Sequence, residues 1–278
     1  MKLCARRFCI EFPRPPMVMG IVNLSPDSFS GDGLSSVDAA LERALGLVGA
    51  GAEIIDVGAE SARTNRGPIP VGEEVERLCG FVERWKALGS PALLSINTWR
   101  PEVAEPVLTL GGDLLNDIGG LPDGANAELC ARVGAALLIM HSVGQPKVAH
   151  THIGYPEVWR SVETFFEEKL ALAEASGLSR ESILIDPGLD FAKQRADNLR
   201  LLASAGRLHR FGRPILLPVS RKTVIGDVLG IPDASQRDAG TMACLVQGVL
   251  EGCHIFRVHE VRAAVAAIRV LQAIGEAG

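Results

Sequence analysis

Paired cysteines, a basic excess and long apolar runs are all missing from this 278-residue sequence. Its six cysteines stand apart, with no Cys-x-x-Cys pair and no Cys/His cluster of zinc-ligand spacing, which excludes the usual structural zinc sites. Single cysteines in a chain of this length favour the reducing cytoplasm. Lys and Arg number 28 against 33 Asp and Glu, a net charge of −5, so nucleic acid is not expected as a partner.

Nothing in the sequence predicts a membrane segment or a secretion signal. The apolar runs are far shorter than the ~20 residues that a helix needs to cross a bilayer. The segment Met1–Pro16 contains Arg6, Arg7 and three prolines in place of the apolar stretch of a signal peptide. We therefore expect a cytoplasmic protein without membrane partners, in which a local arrangement of side chains holds any bound anion.

Short apolar runs alternate with amphipathic stretches eight times along the chain. The runs are continuous, which is typical of strands buried on both faces of a parallel sheet. They are Met17–Val22, Glu53–Val57, Ala92–Ile96, Asp113–Leu115, Ala135–Met140, Ser182–Ile185, Pro214–Val219 and His254–Val258. The stretches with helical periodicity are Val37–Ala50, Gly72–Ala87, Pro101–Leu110, Ala125–Val133, Pro156–Ser176, Ala196–Ala205, Gln236–Glu251 and Val261–Ile274.

This order predicts an α/β fold, a single-domain (β/α)8 TIM barrel over residues 1–278 with an N-terminal extension at 1–16. No linker or low-complexity tract divides the repeats. An open doubly wound sheet is the alternative. In a barrel, the active site lies at the carboxyl ends of the strands.

Polar residues stand at the carboxyl end of every predicted strand. In chain order they are Asn23, Asp56, Asn97, Asn116, His141, Asp186, Lys222 and His259. Taken singly, Asn116 or Asp186 is typical of a turn or a helix N-cap, and His141 of a satisfied interior histidine. Together they are hard to explain by packing, because a buried amide or carboxylate is costly unless something satisfies it.

The residue types at these ends favour a flat heterocycle as a ligand. Asp186 can accept two N–H bonds from a guanidine-like edge. The amides of Asn97 and Asn116 can donate or accept hydrogen bonds, so they can read the rest of such an edge.

Cationic residues follow the last two strands, where barrels commonly hold phosphate. They are Arg221, Lys222, Arg257 and His259, and we expect them to converge on phosphate or pyrophosphate. Asn23 and the Asp27 loop could complete an oxygen-rich Mg²⁺ site when a substrate supplies phosphate oxygens.

Six motifs, in the same order, resemble those of the dihydropteroate synthases. They are Met19–Ser30, Leu115–Ile118, Met140–His141, Ile185–Gly188, Val219–Lys222 and Arg257–Val261. The resemblance covers nearly the whole chain. It implies a transferase that condenses 6-hydroxymethyl-7,8-dihydropterin pyrophosphate with p-aminobenzoate, giving 7,8-dihydropteroate and pyrophosphate in folate biosynthesis.

The resemblance also implies roles for individual residues. It implies a pterin site made of Asn97, Asn116, Met140, Asp186, Phe191 and Lys222. It implies a pyrophosphate site made of Asn23, Arg63, Arg257 and His259, with Mg²⁺ near Asn23. It implies a p-aminobenzoate site made of Phe29, Ala62, Thr64 and Ser220. The catalytic set would be Asp186, Lys222, Arg257 and His259, in a homodimer whose other partners are its small-molecule substrates.

Three departures from the family pattern bear on activity. The family's Ser-Ile-Asp-Thr reads Ser95-Ile96-Asn97-Thr98, and losing a charged acceptor there costs on the order of 1–3 kcal/mol. The Ser-Thr-Arg-Pro loop reads Ser61-Ala62-Arg63-Thr64, which predicts altered handling of p-aminobenzoate analogues such as sulfonamides. The Asp-Gly-Gly of the family reads Gly31-Asp32-Gly33, and its glycine-preceded Phe reads Asp190-Phe191-Ala192.

Two other functions stay open. A paralog that binds a pterin phosphate without making dihydropteroate is favoured by Asn97. A pterin-dependent methyltransferase domain, which passes a methyl group to a corrinoid, has no need of the phosphate-binding set Lys222, Arg257 and His259.

Overall fold

The computed structural model describes residues 1–24, 37–60, 67–148 and 153–277. Residues 2–11 form an antiparallel hairpin of β1 (Lys2–Ala5) and β2 (Phe8–Glu11). Eight parallel strands follow: β3 (Met17–Asn23), β4 (Ile54–Gly58), β5 (Leu93–Asn97), β6 (Leu114–Asp117), β7 (Ala136–Met140), β8 (Ile183–Asp186), β9 (Leu216–Leu217) and β10 (Ile255–Val258). Each coincides with one of the predicted apolar runs.

The parallel strands close into a barrel. Their hydrogen-bonded order is β8-β7-β6-β5-β4-β3-β10-β9. Across the remaining seam, Ile185 of β8 forms a parallel bridge with Ile215, and its amide donates to the Pro214 carbonyl at 3.0 Å. The open doubly wound sheet is therefore wrong, and the predicted (β/α)8 barrel is confirmed.

Helices surround the barrel. They are α1 (Val37–Gly49), α2 (Val71–Ala87), α3 (Pro101–Leu110), α4 (Ala125–Val133), α5 (Val158–Ala175), α6 (Arg195–Ala203), α7 (Thr223–Leu229), α8 (Asp238–Leu250) and α9 (Val261–Ala277). Pro101 opens α3, where its missing N–H and fixed φ suit the first turn, and Gly134 ends α4 in the left-handed region. The sequence does not predict α7, because seven residues are too few to show a helical period. No helix in the described ranges is long and apolar enough to cross a membrane.

Two apolar clusters hold the barrel together. The larger one lies between the sheet and the helices. The other fills the amino-terminal half of the barrel, where Met17, Ile54 and Leu93 at the strand starts pack inside. Leu3 of the hairpin and Phe12 just after it join this cluster. The hairpin thus closes the amino-terminal end and leaves the carboxyl end for a site.

The cysteines differ from the sequence expectation at one place. Cys4 and Cys9 are joined by a disulfide across the hairpin, whereas Cys79, Cys130, Cys244 and Cys253 are free. The prediction of unpaired cysteines is wrong for this pair, because antiparallel pairing sets positions 4 and 9 opposite one another.

Candidate active site

The pleat of the strands turns polar side chains into the barrel at its carboxyl end. Successive side chains of a strand alternate between its two faces. Ile54 packs inside the barrel, so Asp56 also faces inward, and Leu114 places Asn116 inward by the same rule. The other predicted residues that share this inward parity are Asn23, Asn97, Met140, Asp186 and Arg257. A polar layer therefore lies on top of the apolar filling.

Asp56 is the centre of this layer, and its carboxylate is fully buried. It accepts a hydrogen bond from Ser95 Oγ at 2.6 Å and one from the Asn97 amide at 3.2 Å. The Asn116 amide donates to both carboxylate oxygens at 3.2 Å, and Arg257 Nε donates to Oδ2 at 2.7 Å. A single carboxylate thus orients two predicted pterin contacts and one predicted pyrophosphate contact.

Sequence reasoning gave Asp56 no role of its own. The roles were assigned from the family resemblance, which named no residue within β4, whereas Asp56 lies inside this strand, two positions before its end. One feature of the sequence could have indicated a role for Asp56. It stands among apolar residues, and a carboxylate is costly to bury unless it is paired.

Asp186 ends β8 and is almost completely buried. Its Oδ1 accepts the Gly188 amide at 2.7 Å. Burial raises the pKa of this carboxyl to about 6, although the Gly188 amide and the charges of Lys222, Lys193 and Arg257 favour its ionised form. Such a carboxyl gains strongly from a ligand that donates N–H groups to it.

The loop after β8 meets Lys222. Lys222 Nζ donates to the Leu189 carbonyl at 2.8 Å and lies 5.2 Å from the centre of the Phe191 ring. Burial lowers the pKa of Lys222, while Asp190 and Asp186 favour its charged form. The structure therefore brings together Asp186, Phe191 and Lys222, three of the predicted pterin contacts.

Two residues of this loop lie in the left-handed backbone region. Asp190 has φ 68° and Ala192 has φ 52°. The Asp190 carboxylate accepts the backbone amides of Thr223 and Val224, which ties the loop to the start of α7. The departure Asp190-Phe191-Ala192 from the family pattern thus adds one cross-link and places a Cβ at two strained positions.

We expect Ala192→Gly to stabilise the protein. Left-handed φ costs a residue with a Cβ roughly 1–2 kcal/mol, and the unfolded-state freedom of glycine offsets about half of that. The net gain of about 0.5–1 kcal/mol corresponds to a rise in Tm of about 1–4 °C in a thermal unfolding experiment. Asp190→Gly is the matched control, because it relieves the same strain but removes the acceptor for Thr223 and Val224. An equal rise in both variants, or none at Ala192, would contradict this account.

Ser220 and His259 form a pair after β9 and β10. Ser220 Oγ and His259 Nδ1 are 2.7 Å apart, and the His259 amide donates to Ser220 Oγ at 3.2 Å. This contact fixes the imidazole ring. Ser220, predicted to lie beside p-aminobenzoate, therefore orients His259, which is predicted to bind the pyrophosphate.

Arg221 does not converge with Lys222, contrary to the prediction. Its Nε and Nη2 donate to Asp238 at 2.8 and 3.0 Å, and Nη2 also donates to Glu260 at 3.2 Å. Two carboxylates neutralise this guanidinium and hold it at the start of α8, so Arg221 is a structural residue.

Several predicted residues lie outside the described ranges. They are Phe29, Ala62, Arg63 and Thr64, together with the Gly31-Asp32-Gly33 departure. Asn23 is described: it ends β3 and pairs in register with Gly58. No group of three His, Cys, Asp or Glu side chains among the described residues could hold a metal ion. The Asp27 loop, which the sequence places beside a metal near Asn23, lies outside the described ranges as well.

Comparisons with known proteins identify the family of this chain. A profile of the family described as "Pterin binding enzyme" matches residues 19–259. The dihydropteroate synthase of Escherichia coli K12 is 37% identical over 274 residues, which cover 98% of this chain and 96% of that protein. The Yersinia pestis dihydropteroate synthase, solved with a sulfonamide drug complex, has a TM-score of 0.92 at 35% identity, covering 100% of both chains. The Xanthomonas albilineans dihydropteroate synthase, solved with 7,8-dihydropteroate, has a TM-score of 0.83 at 33% identity, covering 96% of this chain and 95% of that one.

These similarities extend over nearly the whole chain, and they confirm the family, the barrel fold and the transferase activity that the sequence predicts. The chain belongs to the pterin-binding enzyme family, and within it to the dihydropteroate synthases.

Proposed function

We propose that this chain condenses 6-hydroxymethyl-7,8-dihydropterin pyrophosphate with p-aminobenzoate, giving 7,8-dihydropteroate and pyrophosphate. The polar layer centred on Asp56, with Asp186, Lys222 and Arg257 at the same end of the barrel, carries the proposal. Its carboxylates and amides suit the guanidine-like edge of a pterin, and its cations suit a pyrophosphate. The similarity to an enzyme solved with dihydropteroate supports it.

The pterin ring is read by Asp186, Asn116 and Asn97. The ionised Asp186 accepts two N–H bonds from the amino-pyrimidine edge. Because Asn116 and Asn97 donate their amide groups to Asp56, each is left with its Oδ1 to accept from the ligand. Met140 and Phe191 pack against the ring, and Lys222 reaches its carbonyl side.

The pyrophosphate binds to Arg257, His259 and Asn23, with Arg63 as a further contact. Arg257 uses Nε on Asp56, so its two terminal amino groups are directed to a phosphate in bidentate fashion. His259 is presented by Ser220.

In the reaction, the bond between the pterin methylene carbon and the pyrophosphate oxygen breaks, and its electron pair leaves with pyrophosphate. The nitrogen of p-aminobenzoate then bonds to the methylene carbon and releases one proton. Arg257 and His259 stabilise the charge on the leaving oxygens, while Asp56 and Asp186 provide a negative field for the pterin cation. Catalysis is thus positioning and charge stabilisation without a covalent bond to the protein.

The family uses a divalent metal, and for this chain we propose Mg²⁺. Asn23 suits it as one hard oxygen ligand at the mouth of the barrel. Pyrophosphate oxygens and waters would complete the coordination, as Mg²⁺ commonly keeps several waters. When bound, the ion would supply additional neutralisation of the leaving group.

Product formation tests this proposal directly. The unmodified chain is incubated with the pterin pyrophosphate, p-aminobenzoate and Mg²⁺, and dihydropteroate is expected. No product in spite of tight pterin-pyrophosphate binding would favour the non-catalytic paralog that Asn97 suggests. The methyltransferase alternative requires methyl transfer to cobalamin, which we expect to be absent.

The cytoplasmic compartment, the homodimer and the altered response to sulfonamides stay predictions from the sequence. The last of these depends on Ala62 and Thr64, outside the described ranges.

Pterin affinity is expected to fall in acid, because Asp186 must be ionised to accept N–H bonds. Burial raises its pKa to about 6, so roughly one carboxyl in ten is ionised at pH 5 and we expect a Kd roughly tenfold weaker than at pH 7. Calorimetry with 6-hydroxymethylpterin between pH 5 and 7 measures this, since this probe carries no phosphate to titrate. Asp186→Asn is the control, with weak binding that does not change with pH. If the Kd of the unmodified chain does not change between pH 5 and 7, a group other than Asp186 accepts the pterin N–H bonds.

A further inference from the structure

Lys193 has no part in the reaction above, yet it is only 9% exposed and lies behind the loop after β8. Its Nζ is 2.9 Å from His141 Nδ1 and donates to the carbonyls of Gly188 at 2.8 Å and Phe191 at 3.1 Å. The His141 carbonyl is a fourth acceptor at 3.4 Å, so the three N–H donors of the ammonium group are all in use. Lys193 thus links the segments that carry its acceptors through buried hydrogen bonds, and we call this set of bonds the cross-link.

The acceptors of Lys193 belong to two separate segments. His141 directly follows β7, whereas Gly188 and Phe191 belong to the loop that begins at Asp186 and carries a proposed pterin contact. The segments touch so closely that a Cβ at position 188 would lie 2.0 Å from the His141 carbonyl oxygen. Only glycine fits at position 188. The side chain of Lys193, from the same loop, contacts His141 at the end of β7.

His141 is held as the acceptor of this bond. Its ring is 1% exposed and packs edge-on against Phe165 at 4.9 Å between centroids. Burial lowers its pKa to about 2, and the charge of Lys193 lowers it as well, so the imidazole is neutral. A neutral ring with its proton on Nε2 presents a lone pair on Nδ1 to Lys193.

The charged groups around Lys193 oppose one another. Burial lowers the pKa of its ammonium and Lys222 lowers it too, whereas Asp186, Asp197 and Asp190 raise it, and together they place it at about 7. Deprotonation leaves two N–H donors for four acceptors, so the cross-link weakens as the pH rises above 7.

We propose that Lys193, through His141, is a positioning residue for the pterin substrate: it fixes the loop that carries Phe191 against the end of β7. The inference rests on the proposed function, because the pterin is the ligand whose pocket this loop lines. The loop contains two residues at positive φ, a conformation that persists only where surrounding contacts hold it. Loss of the cross-link should therefore weaken pterin binding more than p-aminobenzoate binding.

The first experiment compares Lys193→Met with Lys86→Met in steady-state kinetics. Lys86 also donates to a carbonyl, that of Leu110, but it is exposed on α2. We expect Lys193→Met to raise the KM for the pterin pyrophosphate roughly tenfold or more, and to leave the KM for p-aminobenzoate within about twofold. Lys86→Met should change neither. Equal changes in both KM values, or a change in Tm alone, would overturn the positioning role.

The second experiment uses His141, and its two single variants test the cross-link without changing the lysine. His141→Asn keeps a side-chain acceptor near the Nδ1 position, whereas His141→Leu removes it. We expect the leucine variant to reproduce the pterin KM of Lys193→Met, the asparagine variant to restore most of the affinity, and the double variant to be no worse than either single one. A leucine variant with unchanged pterin KM would refute the inference.

The pH profile separates this inference from the proposed function. In the unmodified chain the pterin affinity should fall above pH 7, and in Lys193→Met this fall should begin only at the higher pH at which the lactam N–H of the pterin itself ionises. Calorimetry with 6-hydroxymethylpterin measures this affinity even if the chain forms no dihydropteroate. The lack of product would overturn the proposed function but not the role of Lys193. An alkaline limb that begins at the same pH in Lys193→Met as in the unmodified chain would overturn the role of Lys193 alone.

Discussion

Asp56→Asn is expected to lower kcat/KM for the pterin pyrophosphate by roughly a hundredfold. The carboxylate pairs with Arg257 Nε at 2.7 Å, and a charged hydrogen bond of this kind contributes roughly 1.5–3 kcal/mol. It also accepts from Ser95, Asn97 and Asn116. An amide has a single acceptor oxygen, so several of these donors lose their partner and the pterin and pyrophosphate contacts lose their orientation together.

Steady-state kinetics with Asp117→Asn as the control separates this effect from the loss of any buried carboxylate. Asp117 is also fully buried, but it faces away from the barrel interior and accepts from the Gly119 amide at 2.8 Å and the Asn126 side chain at 2.9 Å. We expect this variant to lose stability while its kcat/KM stays within a few-fold of the unmodified chain. Similar kinetic losses in the two variants would show that Asp56 is merely structural.

The barrel and most of its strand-end residues could be predicted because parallel strands buried on both faces leave continuous apolar runs in the sequence. The inward direction of the site could have been predicted as well, from the alternation along each strand. The alternation gives no rule for Arg221, because this residue lies beyond β9 in a turn with φ 56°. Its partners Asp238 and Glu260 come later in the chain, and only the fold brings them to it.

The partners of Asp56 and Lys193 could not be predicted. Asp56 and Arg257 are 201 residues apart in the chain, and only closure of the barrel brings them together. Lys193 follows a loop whose local pattern shows a turn, and its acceptor His141 is on another strand end. A local pattern records that a polar residue is buried but not which distant group satisfies it.

Asn97→Asp, which restores the family's residue, is expected to raise kcat by about tenfold to a hundredfold. The departing pyrophosphate leaves positive charge on the pterin, and a second carboxylate beside Asp56 stabilises that charge more in the transition state than in the bound substrate. The amide of Asn97 lies 3.2 Å from Asp56, so the new carboxylate would stand next to the existing one at the centre of the polar layer.

Asn116→Asp is the matched control for this prediction. It makes the same chemical change one strand away, but it removes an amide that donates to both oxygens of Asp56. Because this position keeps the family's asparagine, we expect its kcat to fall while that of Asn97→Asp rises. Single-turnover measurements of dihydropteroate formation isolate the chemical step from product release. If the unmodified chain is inactive and Asn97→Asp restores activity, the chain is a non-catalytic paralog whose defect lies at this one contact. A variant no faster than an active unmodified chain would instead show that Asp56 already supplies the charge the reaction requires.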